Sequence, residues 1–97
     1  MTVAEIDVQP AGEGSGETHF TVTVREGDST STHRVTVTDG DYRRLGERFE
    51  TYQDFVRACF EFLLEREPKD SILPSFDVAE ISNYFPEFER EISEPAG

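Results

Sequence analysis

The chain has 97 residues, enough for one small domain, and its 35% apolar content with eight Phe and three Tyr predicts an aromatic-rich core rather than a disordered chain. Twenty-one acidic residues face nine basic ones, a formal net charge of −12, and such a surface repels nucleic acid and anionic lipid, which bind clustered cations. A single cysteine excludes an internal disulfide or a thiolate metal cluster.

No apolar run approaches the roughly 20 residues of a membrane span. The start, "MTVAEIDVQP", shows no basic segment followed by a hydrophobic one. The expectation is a cytoplasmic protein with one domain over residues 1–92 and a frayed tail over 93–97.

The N-terminal half reads as strands. "VAEIDV" (3–8) alternates well enough for a short strand, and "QPAGEGSGE" (9–17), with three Gly and one Pro, reads as a flexible connection. "THFTVTVRE" (18–26) and "THRVTVT" (32–38) then alternate with a period of two, placing Phe20, Val22 and Val24 on one face and His33, Val35 and Val37 on the corresponding face. Pairing Val24 with His33, Val22 with Val35 and Phe20 with Val37 leaves "GDST" (27–30) as the hairpin loop. His19, Thr21, Thr23 and Arg25 fall on the opposite, solvated face beside Thr32, Arg34, Thr36 and Thr38.

The C-terminal half turns helical. Thr38 stands three residues ahead of Asp41, the spacing of a helix cap, and predicts a short helix over about 39–49 with Tyr42, Leu45 and Phe49 on its apolar side. Thr51 and Asp54 repeat the signal and open the longest helix, about 52–67, which Pro68 ends. At 100° per residue Asp54, Arg57, Glu61 and Glu65 share a narrow polar arc, while Phe55, Val56, Cys59, Phe60, Phe62, Leu63 and Leu64 cover most of the rest. An apolar arc this wide needs cover on two sides, from the sheet and from residues 76–92. "PKDSILPS" reads as irregular, after which Asp77 and Glu80 cap a further helix. Val78, Ile81, Tyr84, Phe85, Phe88 and Ile92 share its apolar side, with a break near Tyr84 and a restart at Pro86. The fold class is α+β, a three-stranded antiparallel meander covered on one face by three to four helices.

The chemistry-bearing residues are few. His19 and His33 lie on opposite faces and opposite ends of the hairpin, one a surface and one a half-buried histidine, which argues against a shared metal or acid–base site. "DGDYRRLGERFE" (39–50) has acids at the first, third and twelfth positions of a calcium loop, but Arg43 and Arg44 occupy places where an oxygen ligand and the turn glycine belong. Cys59 sits within the apolar arc as a buried structural thiol. Arg66 projects near the end of the long helix with Glu80 and Glu87 as carboxylate partners. No cofactor site is legible.

From "FEFLLEREP" through "SIL", "FDVAEI" and "YFPEFE" the chain resembles a set of short conserved bacterial proteins without an assigned activity. The likeness covers residues 55–89, implies an autonomous cytoplasmic domain, and lends no catalytic residue or ligand. The leading expectation is a non-catalytic protein-interaction or regulatory domain, binding an unknown protein partner or itself through Arg66, Phe76 and Tyr84. Alternatives are a carboxylate-based enzyme or metal site on Glu61, Glu65, Glu80 or Glu87, and an acidic mimic of nucleic acid.

Overall fold

The alternating residues of the N-terminal half build antiparallel strands, but these are longer than expected and pair in a different register. The computed structural model describes residues 4–93. Strand β1 is Glu5–Gly14, β2 is Glu17–Glu26 and β3 is Ser29–Thr38. The presumed flexible connection is therefore mostly strand. Pro10 is tolerated because β1 is a sheet edge, where a missing N–H breaks no ladder. A register shift between Pro10 and Gly12 absorbs the irregularity, with Gly12 at φ 139°, a conformation only glycine adopts readily. The bulge and proline also blunt the edge against pairing with other chains.

The β2–β3 register is corrected by two residues. Val24 pairs with Ser31, Val22 with His33 and Phe20 with Val35. A slip of two leaves every side chain on its expected face, so alternation cannot detect it; the turn decides. Gly27 and Asp28 alone connect Glu26 to Ser29, and Gly27 has φ 59°. A two-residue hairpin with glycine at its first central position matches the right-handed twist of the strands, and so prevails over a four-residue loop.

The α+β class holds, while the meander is extended to a four-stranded mixed sheet of order β1-β2-β3-β4. Strand β4, Ser75–Asp77, begins at the last residue of the stretch read as irregular, takes in the residue expected to cap the next helix, and runs parallel to β3, with Phe76 opposite Val35.

Helix α1 spans Asp39–Leu45 and α2 spans Tyr52–Leu64. Both expected caps form: Thr38 Oγ1 accepts from the Asp41 N–H at 3.0 Å and Thr51 Oγ1 from the Asp54 N–H at 3.1 Å. A 3₁₀ turn at Val78–Glu80 carries the reciprocal Asp77–Glu80 capping box and leads into α3, Ile81–Tyr84; α4 is Phe88–Ser93. Thus the break falls at Tyr84 as expected, Ser93 belongs to α4, and the remainder of the expected frayed tail lies outside the described residues.

The wide apolar arc of α2 is covered on two sides. Phe60 faces the sheet, 5.4 Å from the His33 ring and 5.8 Å from that of Phe76. Phe62 faces the other way, onto Phe85 and Phe88 at 5.9 and 5.1 Å in edge-to-face geometry. The radius of gyration, 12.8 Å, is that of one compact domain of this length (about 13 Å for 100 residues).

Candidate functional site

Three places hold groups beyond simple core packing. The first is a polar corner where the start of β3 meets the segment ahead of β4. His33 is 2% exposed, more deeply buried than expected. Its Nδ1 lies 2.8 Å from the Leu73 carbonyl, which only accepts, so Nδ1 carries the proton; in the neutral ring Nε2 accepts from the Ser31 hydroxyl at 2.8 Å. Beside it Lys69, 4% exposed, donates to Ser29 and to Asp70. A hydroxyl, an imidazole and an oriented tautomer resemble a nucleophile–base pair, but neither Ser31 nor His33 lines the groove or the broader concavity described below. The corner ties β3 to the chain some forty residues on. His19 is apart from it, half-exposed between Thr36 and Glu17.

The second place surrounds Arg66, just past α2. Its Nε donates to Glu87 at 3.1 Å, its Nη2 to Glu91 at 3.0 Å and its Nη1 to the Phe62 carbonyl. The guanidinium carbon lies 3.6 Å from the centroid of the Phe62 ring. Burial opposes its charge, yet the hydrogen bonds it donates to Glu87 and Glu91 outweigh that and raise its pKa. Glu87 is held below the ordinary carboxylate value by its own backbone N–H and then by Arg66. Of the expected partners, Glu87 is engaged and Glu80 is not, because Glu80 Oε2 accepts from the Asp77 N–H at 3.0 Å.

The remaining carboxylates follow their local duties. Glu61 on α2 and Glu65 at its C-terminal cap are exposed. Among the described residues no three His, Cys, Asp or Glu side chains converge as a metal site. Cys59 is fully buried and burial pushes its thiol pKa far up, opposite to an activated nucleophile.

The third place is a groove of about 160 Å³ between the end of α2, the segment before β4 and α3. Leu63, Ile72, Phe76, Ile81 and Phe85 form its apolar wall, Leu73 and Tyr84 flank it, and Glu67 and Glu80 are its carboxylates. Of the three residues expected at an interface, Phe76 is only 7% exposed and packs on Phe60, so its ring belongs to the core while also lining the groove. Its ring is turned inward because the residue is on a strand, where side chains alternate between the two faces and Ser75 and Asp77 take the exposed one. Tyr84 is 65% exposed and lies at the groove. Arg66 does not line it. Sequence reasoning missed Leu73, 43% exposed, and the groove itself.

A second, broader concavity at the β1–β2 turn and the start of α2 is lined mainly by polar and acidic groups, among them Glu13, Glu17 and Asp39. Among the described residues no helix is long and apolar enough to cross a membrane. Compared with known proteins, the chain matches no family model, no curated protein and no solved structure.

Proposed function

We propose that this chain is a small non-catalytic protein-interaction or regulatory domain whose contact surface is the groove between α2, β4 and α3. One observation carries this reading. The two large apolar side chains exposed among the described residues, Leu73 and Tyr84, flank the same groove. Scattered apolar residues on a surface need no explanation, whereas two beside one apolar cavity favour a binding site. Tyrosine with its ring on apolar surface and its hydroxyl in water is enriched at such contacts.

Size narrows the occupant. Small-molecule sites run to roughly 300–1,000 Å³, and this groove holds about 160 Å³. An apolar cavity of about 150 Å³ accommodates a single benzene-sized ring. The groove therefore suits one anchor side chain of a partner better than a metabolite.

The test places a photo-crosslinking phenylalanine analogue at Tyr84 or, as control, at Thr32 on the exposed sheet face, and compares products in lysate of the source organism. A discrete product from position 84 that disappears with Leu73→Ser is expected. Equal labelling from both positions sinks the reading.

A further inference from the structure

We infer that the occupant of this groove is a cationic segment of a partner protein, a short stretch that inserts one aromatic or leucine side chain and flanks it with arginine or lysine. The inference rests on the groove being a docking surface, and names what docks there. The lining residues include two carboxylates, Glu67 and Glu80, and no basic residue. Glu80 spends one oxygen on the Asp77 cap, leaving Oε1 free of that contact. Glu67 is a half-buried lining residue, and reduced solvent strengthens its attraction for an incoming cation.

The chain's own cations are largely committed elsewhere. Arg66 pairs with Glu87 and Glu91, Arg44 with Asp41 and Glu89, Arg25 with Glu5, and Lys69 with Asp70. Arg57 and Arg48 donate to the Ile6 and Ile92 carbonyls. A second copy of the chain would bring a net charge of −12 against −12, and like-charge surfaces suppress association. An acidic segment or a nucleic acid meets the same repulsion. A basic segment gains from both the carboxylates and the long-range field, which speeds its encounter.

Four short synthetic peptides test this against the isotope-labelled full chain, with amide shifts as readout: phenylalanine flanked by arginines, by serines or by glutamates, and alanine flanked by arginines. The arginine-flanked phenylalanine peptide is expected to shift the amides around Leu73, Phe76, Ile81 and Tyr84 and to bind about tenfold or more tighter than the serine-flanked one at low salt. Glu67→Lys should remove most of that advantage while leaving the serine-flanked peptide unaffected. Equal binding of the serine-flanked peptide overturns the charge inference and leaves the docking groove standing. Equal binding of the alanine-centred peptide, with shifts spread over the acidic surface, overturns both. If no peptide shifts the groove amides, the docking reading fails. If sedimentation shows self-association lost in Leu73→Ser, the occupant is a second copy and the cationic partner is wrong.

Discussion

The guanidinium of Arg66 lies over the ring of Phe62, its central carbon 3.6 Å from the ring centroid. The same guanidinium holds two carboxylates on or beside α4. Phe62 itself packs edge-to-face on Phe88, so cation, ring and helix form one stack. Arg66→Ala removes the cation–π contact and two pairs at a partly exposed site, and should cost about 1–2 kcal/mol in chemical denaturation. Arg66→Lys keeps a charge but loses the planar fork, and should recover only part of this. An unchanged midpoint for Arg66→Ala would show that α4 is held by its other contacts, chiefly the buried Phe88 and Ile92.

The same stack has a pH signature. Glu87 titrates below its ordinary value of 4.5, through its own backbone N–H and then Arg66. A depressed folded-state pKa stabilises the fold above the unfolded value, and that contribution is lost as pH falls through the folded one. In a carboxyl NMR titration Glu87 should keep its charge below pH 4.5, and in Arg66→Ala its midpoint should move back up. A midpoint indifferent to Arg66 would assign the whole shift to the backbone.

Phe60 is fully buried between His33 and Phe76. Phe60→Ala should cost about 3–5 kcal/mol, a large share of the stability of a small domain. Urea melts followed by circular dichroism check this, and a parent-like curve contradicts the packing described for α2.

Cys59 should be silent toward alkylating reagents while the chain is folded, since the thiolate attacks and burial suppresses it. Labelling should follow the unfolding curve with added denaturant. Fast labelling of the native protein would mean that the α2 core opens locally.

A net charge of −12 on a domain of this size predicts self-repulsion. The Debye length falls from about 10 Å at 0.1 M to about 3 Å at 1 M salt, so the melting temperature should rise with NaCl. A fall would show that pairs such as Arg44–Glu89, at 2.8 Å, outweigh the general repulsion.

Much of this architecture was legible in the residues. The caps at Thr38, Thr51 and Asp77, the double-sided arc of α2 and the burial of Cys59 all follow from spacing. The register did not, because a period of two cannot distinguish Val24 opposite His33 from Val24 opposite Ser31. Strand β4 was invisible because three residues are too few for a pattern, and its partner in β3 is distant along the chain. Phe76 went astray with it. The burial of Lys69 is equally illegible, since its partner Ser29 lies forty residues away along the chain. The sequence sets α2 against residues 76–92, but the groove also needs the segment ahead of β4, and nothing in the pattern brings Ile72 and Leu73 beside those two.

The parallel pairing of β4 has a kinetic consequence. The β1–β2 and β2–β3 hairpins close locally, whereas Ser75 must find Arg34 after both α1 and α2 have been laid down. Closing that long loop costs entropy before any contact rewards it, so β4 should dock last in refolding and detach first in native-state fluctuations. Amide hydrogens of β2 are then the slowest to exchange with deuterium and those of Ser75–Asp77 among the fastest within the sheet. Because Phe76 lines the groove, whatever seats there should slow exchange at β4 and lower its rate of opening, leaving the far hairpin unchanged.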